Sequence, residues 1–219
     1  MNIHFQSSLN SVEDYTAFHR GLFDAYARFG VEAAVSTPAA SSSIYLALAK
    51  DEAGHICGGF RLHTPNSEPM LLHTLAYAPP SVREPSMAKL KGDEGELRGL
   101  WVEESERGTQ LSAALVHTLV AMAPSLGVKT LALISHRALR RFYTACGFVV
   151  DADVEGFPYP DERYRSELYW CDAIGLGDLE QETRKRLLEM RSAIGQGESL
   201  SFPRAQRRVA TRRESSLSY

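Results

Sequence analysis

Apolar positions recur at helical spacing near the start of the chain: Val12, Tyr15, Phe18, Leu22, Phe23 and Tyr26, with His19 on the same stripe. Side chains three and four apart share a helix face, so residues 12–29 are predicted to form an amphipathic helix. Ser11 is placed as its N-cap, with Asp14 in the third helical position, and Gly30 as its stop. MNIHFQ before it reads as a short strand, and STPAASSS (36–43) as a loop. Two strands then flank a turn at Asp51–Gly54, one over Ile44–Ala49 and one over Ile56–Leu62. Residues 63–93 break the pattern with five prolines and one apolar island, MLLHTLAY, and read as an insertion packed on the domain.

Regular patterning resumes with the strand GELRGLWV (95–102) and a helix from about Gly108 to Ala123, where Leu111, Leu115, Leu119 and Met122 line one face. VKTLALIS (128–135) is nearly unbroken in its apolar character, as expected of a buried strand. HRALRRFYTAC predicts a short helix closed by Gly147, FVVDADV a strand, FPYPDERYR a loop and SELYWCDA a last strand. A charged helix over 178–194 offers Leu179, Leu187, Leu188 and Ile194 for docking. Hairpins mixed with strand–helix–strand crossovers predict an α/β fold with a mixed sheet and helices on both faces. The expected organisation is one domain over 1–175 with its insertion at 63–93, a C-terminal helix over 176–196, and a disordered basic tail over 197–219.

Composition adds exclusions. The chain has 219 residues, 44% hydrophobic and 23% charged, as in ordinary globular domains. No apolar run reaches the roughly 18 residues of a membrane span, and no signal peptide is recognisable, so a reducing cytoplasm is the expected location. Cys57, Cys146 and Cys171 have neither disulfide-framework nor metal-site spacing, and the seven histidines are scattered, so no metal is assigned. The net charge of −3 divides into +4 from Ser201 onward and −7 before it. A mildly acidic body argues against a nucleic-acid-binding surface.

Three features carry candidate chemistry. The turn from GELRGLWV into SERGTQLSAALV presents unpaired N–H groups at a helix N-terminus, where phosphate is favoured, although every such turn has a helix N-terminus. Tyr143, on a short helix before a Gly-Phe strand start, is either a proton donor at the sheet or a core aromatic. Glu96 lies among apolar strand neighbours; it is either functional or ion-paired with Arg98 on the same exposed face.

Together these residues resemble the GNAT acyltransferase superfamily. Its phosphate loop, Gln/Arg-x-x-Gly-x-Gly/Ala, is matched by Arg107-Gly108-Thr109-Gln110-Leu111-Ser112, with Gln110 and Ser112 departing from the usual small residues. Its Tyr-x-x-x-Gly-Phe motif is matched in full by Tyr143 to Phe148; His136 stands where an Asn commonly precedes that Tyr. The resemblance implies a splayed central sheet, acetyl-CoA or a longer acyl-CoA as donor, and an amine that attacks the thioester directly. It also implies that Leu100, Trp101 and Val102 pair with the pantetheine amides, that residues 108–112 hold the pyrophosphate, and that His136 lines the donor site. Tyr143 protonates the leaving thiolate and Glu96 takes the proton of the amine in this scheme. A Gln at position 110 is expected to limit the approach of the loop to phosphate, because a left-handed backbone is costly there.

A finer resemblance is to acyl-homoserine-lactone synthases and N-acyl-amino-acid synthases, carried by Gly58-Gly-Phe-Arg61-Leu62, Pro69-Met70-Leu71 and Glu96-Leu97-Arg98. It implies an acyl carrier protein as the alternative donor, and an insertion that either bounds a longer acyl pocket or has its own small core. A non-catalytic acyl-CoA-binding module is the remaining alternative. Monomer and homodimer are both open.

Overall fold

The structure is a computed structural model that describes residues 1–65, 67, 75, 78–107, 110–177, 179–195 and 200–201. Its strands are β1 (Asn2–Ser7), β2 (Ile44–Lys50), β3 (Ile56–His63), β4 (Glu94–Val102), β5 (Thr130–His136), β6 (Val149–Val150), β7 (Phe157–Pro158), β8 (Arg165–Asp172) and β9 (Leu200–Ser201). Its α-helices are α1 (Val12–Ala27), α2 (Pro80–Ala88), α3 (Leu111–Met122), α4 (Arg140–Ala145) and α5 (Gln181–Gly195). Among the described residues these strands form one sheet in the order β6-β8-β5-β4-β3-β2-β1-β9, with β7 paired to β8.

The capping chemistry read from the sequence is present. Ser11 accepts a hydrogen bond from the Asp14 amide at 3.0 Å, and Gly30 follows α1 with φ +64°. Phe18 and Leu22 are fully buried beneath α1 against Ile44, Leu46, Leu48 and Trp101. Each such side chain contributes about 1.5–3 kcal/mol to the burial of this face. On the opposite face α3 is buried nearly all round, wider than the single stripe expected, because α5 covers its outer side through Leu187 and Met190. Of the residues expected to dock α5, Leu187 is buried and Leu188 is exposed; the Ile194 side chain lies outside the described residues. The described part of the insertion, with α2, packs Leu75, Ala78 and Val82 against Ala132, Leu168 and Phe157 of β5, β8 and β7.

Four boundaries differ from the sequence reading. The helix expected from Gly108 begins at Leu111, and Gly108 and Thr109 lie outside the described residues. FVVDADV is a strand only over Val149–Val150, since the Asp151 carboxylate turns the chain by accepting bonds from the Asp153 amide, Lys89 and the Trp170 indole. The loop FPYPDERYR contains β7, paired to β8. The expected disordered tail contains β9, where Leu200 and Ser201 pair with Ile3 and Asn2.

The sheet is joined unevenly at its centre. The parallel pair β4·β5 has only three register partners, Glu94↔Thr130, Gly95↔Leu131 and Glu96↔Ala132. Beyond Glu96 the two strands diverge, while β4 continues its antiparallel pairing with β3 as far as Val102↔Gly58. A one-residue bulge sits in β4 between Arg98 and Trp101, and Gly99 within it has φ +68°, the left-handed conformation that a glycine bulge requires.

Candidate active site

The divergence of β4 from β5 opens a cleft of about 450 Å³. Glu96 to Val102 form one wall and Leu133 to His136 the other. The C-terminal half of α1 and the segment 29–36 roof it, and Tyr159, Pro160 and Tyr164 close one side. Two bonds tie the roof to that side: Arg163 donates to the Gly30 carbonyl at 3.1 Å and the Tyr164 hydroxyl to the Phe29 carbonyl at 3.2 Å. None of the described residues of the 63–93 insertion lines the cleft; they pack on the sheet as a small core of their own.

Tyr143 projects from α4 into this cleft and is 5% exposed. Gly147, with φ +92°, ends the helix so that the Phe148 amide returns to the Tyr143 carbonyl at 3.0 Å. The ring packs edge-on to Phe142 and Phe148 and tilted against Tyr169. Burial drives the phenol well above its ordinary value, against a hydrogen bond with Ser135 that opposes the shift, so the hydroxyl stays protonated at neutral pH. Tyr143 is thus a core aromatic that also lines the cleft. Cys146, one turn on, is buried in the same core and its thiol is pushed up to about 12 by burial.

Glu96 sits at the branch point, the last β4 residue paired with β5. It is ion-paired with Arg98 as the spacing allowed, but the pair is buried rather than exposed, at 2% and 8% exposure. Directly across β3, His63 stands opposite Glu96 and Arg61 opposite Arg98, so four polar side chains crowd one buried patch.

The donor-site candidates are brought together in part. Leu100, Trp101, Val102, Arg107 and His136 all line the cleft. The Trp101 side chain turns under α1, and the His136 ring meets Tyr164 edge-on at 5.2 Å. Arg107 is exposed and lies over the Phe29 ring at 5.4 Å. Leu111 is buried in the core under α3 and Ser112 half-buried in its first turn. Gln110 caps α3 with φ −77° and no side-chain cap bond. The left-handed backbone expected to be costly at this position is thus not used. Of the arginines near Tyr143, Arg140 and Arg137 are drawn to Glu167. Burial alone would raise the Glu167 carboxyl, but Arg140 and the Tyr169 hydroxyl hold it below its ordinary value.

Sequence reasoning missed Arg61, His19, Tyr26 and Ser36 as members of this region. The available signal was an arginine in the middle of the apolar strand ICGGFRLH, where charge is unusual without a role. Among the described residues no group of three or more His, Cys, Asp or Glu could hold a metal ion, and no helix is long and apolar enough to cross a membrane.

Comparison with known proteins matches this architecture. A CoA-dependent acyl-homoserine lactone synthase, MesI, shares the fold with a TM-score of 0.63 and 19% identity, over 84% of this chain and 94% of that one. A second such synthase, BjaI, solved with SAM and isopentyl-CoA, superposes with a TM-score of 0.63 and 18% identity, over 87% of this chain and 89% of that one. FeeM, an N-acyl amino acid synthase from uncultured soil microbes, gives 0.62 at 12% identity, over 81% and 98%. An uncharacterized protein of Mycobacterium tuberculosis is 26% identical over 200 residues, 85% of this chain and 75% of that protein. The family model described as Acetyltransferase (GNAT) family matches residues 11–148, from the cap of α1 to the Gly-Phe that follows Tyr143. With the split sheet and the Tyr motif inside that span, the chain belongs to the acetyltransferase (GNAT) family of N-acyltransferases.

Proposed function

We propose that this protein transfers the acyl group of an acyl-coenzyme A thioester to an amine by direct attack. The observation that carries the reading is the three-residue contact of β4 with β5, with the Tyr143 hydroxyl in the gap beyond it. Past Glu96, the β5 side of β4 faces a cleft instead of a ladder. A chain of amides, as in pantetheine, fits such an edge in the manner of an added strand. The pyrophosphate is assigned to the N-terminus of α3, where the Gln110 side chain makes no cap bond and the helix dipole favours an anion, with Arg107 preceding it in the chain.

In this scheme the amine nitrogen forms a bond to the thioester carbonyl carbon, and the carbon–sulfur bond then breaks. Tyr143 gives its proton to the departing sulfur; its buried surroundings keep that proton in place until the thiolate forms. The attacking nitrogen must lose a proton, and Glu96 receives it through water. The Arg98 contact keeps that carboxylate oriented at the branch of the strands. Residues 1–175 form the catalytic domain and α5 buttresses α3 from outside.

The apolar side of the cleft, from Leu22, Ala25, Phe29 and Val31, supports a donor with an acyl group longer than acetyl. The test is release of coenzyme A thiol from acetyl-, butyryl- and octanoyl-CoA in the presence of a panel of amines, with the product identified by mass. Amine-dependent release is expected. If no acyl-CoA binds or turns over while an acyl carrier protein thioester does, the carrier-protein donor is correct. If neither reacts, the chain is a binding module.

A further inference from the structure

Glu167 is a carboxylate at 5% exposure on β8. Successive β8 side chains alternate between faces, so Glu167 shares the α3 side of the sheet with Tyr169 and Cys171. Arg140, the first residue of α4, meets it as a fork: Nε donates to one carboxylate oxygen at 3.0 Å and Nη2 to the other. The Tyr169 hydroxyl donates to the same carboxylate at 2.9 Å, and Arg137 Nε stands 3.8 Å from it. Tyr169 in turn has its ring 5.7 Å from that of Tyr143. Across the β5–β8 ladder Glu167 pairs with Ser135, the residue to which the Tyr143 phenol is hydrogen-bonded. One buried carboxylate thus holds the helix that carries Tyr143 and the ring that walls it, and lies opposite its hydrogen-bond partner.

The helix α4 cannot place itself. It has six residues, and no side chain caps its start. Helices this short are held by tertiary contacts and not by their own hydrogen bonds. Tyr143 and Cys146 anchor its far end in the core, and Arg140 anchors its start on Glu167. An apolar contact could hold that start with less desolvation. A guanidinium fork on a carboxylate adds direction, because the two planes must align. Resting on the acyl-transfer reading, we infer that Glu167 is a positioning residue: through Arg140 and Tyr169 it fixes the angle at which Tyr143 faces the thioester. Ser135 and Tyr143 line the cleft, whereas Arg140, Glu167 and Tyr169 do not, so the group works through Tyr143 and not on the substrate.

Arg140→Met removes the fork, keeps the stem, and alters a partly exposed side chain instead of the buried carboxylate. Fluorine NMR of the full chain labelled with 3-fluorotyrosine reads the ring directly; the Tyr143 signal is the one missing from Tyr143→Phe. In Arg140→Met that signal is expected to move or broaden, while the signals of tyrosines outside this cluster hold. The kcat for octanoyl-CoA, with the amine that releases thiol fastest, is expected to fall about tenfold to a hundredfold, the order of loss that a misplacement of about 1 Å brings. KM for octanoyl-CoA should change less than about twofold, because the lost placement is felt only in the transition state. Glu167→Gln, which keeps an acceptor for the Tyr169 hydroxyl but loses the charge, should reproduce both effects. Added to Tyr143→Phe, Arg140→Met should cost no further rate. An unchanged Tyr143 signal in Arg140→Met overturns the inference. So does a raised KM with kcat intact, which would make Arg140 a ligand of the donor, or a full additional loss in the double variant. A wild-type rate in Tyr143→Phe, or no turnover of any acyl-CoA by wild type, counts against the acyl-transfer reading itself; the fluorine signal then decides alone whether Glu167 holds Tyr143.

Discussion

Gly21 on α1 and Trp101 on β4 are packed so closely that a Cβ on Gly21 would lie 2.1 Å from Cη2 of the indole. The helix can lie on the sheet only because residue 21 has no side chain, and Trp101 in turn holds the far end of the β4 wall of the cleft. Gly21→Ala is therefore expected to destabilise the fold by about 1–3 kcal/mol, the usual range for overpacking. Gly177→Ala, where nothing lies within 4 Å of the new Cβ, is the control and should leave the melting point unchanged. Equal melting points for the two variants would show that α1 simply shifts away.

Tyr143→Phe keeps the ring in its aromatic nest and removes only the hydroxyl. General acid catalysis is commonly worth about 10²–10⁴ in rate, and kcat is expected to fall within that range with donor affinity changed less than tenfold. Thiols are fair leaving groups, so the loss should lie at the lower end. A wild-type rate in this variant would move the proton donor to Tyr26, whose phenol also lines the cleft and is pushed up to about 12 by burial.

In the proposed reading the cleft sets donor chain length, since no described residue of the insertion lines it. Affinity is expected to rise from acetyl- to octanoyl-CoA, by up to about 0.8 kcal/mol for each methylene buried. Ala25→Phe, which fills the apolar side, should abolish the gain for octanoyl-CoA and spare acetyl-CoA. Flat affinity across the donor series in the wild type would leave acetyl as the group transferred.

His117 is buried in α3, its Nε2 without a partner, and burial, with Arg186 nearby, lowers its imidazole to about 4 from 6.5. The unfolded chain thus binds a proton that the folded chain refuses between those values. Stability is complete above pH 6.5 and falls as pH drops toward 4, by about 3 kcal/mol for one such histidine. Denaturant titrations of wild type and His117→Phe, run at pH 7 and pH 4.5, should show a smaller acid loss in the variant. Parallel curves would show that His117 protonates without resistance.

Much of this was legible in the chain. The helix of α1 announced itself through Ser11 and its apolar stripe, and Tyr143 to Phe148 through the glycine that closes a helix after an aromatic. Local signals of this kind depend on nearest neighbours and survive folding. What could not be read depended on partners distant in sequence. Glu96 and Arg98 were visible as a same-face pair, but nothing local says that this face is covered by α1, so a buried pair looked exposed. Arg61 meets Ser36 and His19 only because α1 and the segment after it pack over β3. The pairing of Leu200–Ser201 with β1 joins opposite ends of the chain, and two residues of strand carry no periodicity at all.

The short ladder between β4 and β5 also bears on how the molecule assembles. Three rungs are a weak hold between two half-sheets, each of which is otherwise a run of antiparallel neighbours. Each half can form through contacts within itself, but their union depends on the crossover through α3, whose apolar surface is buried against both. The joint that leaves room for a ligand thus needs the whole crossover from Val102 to Thr130 to close, with only three rungs to reward it. Docking of α3 and α5, rather than zipping of the sheet, is then what commits the chain to its native state, and a ligand laid along the gap would act as the missing strand.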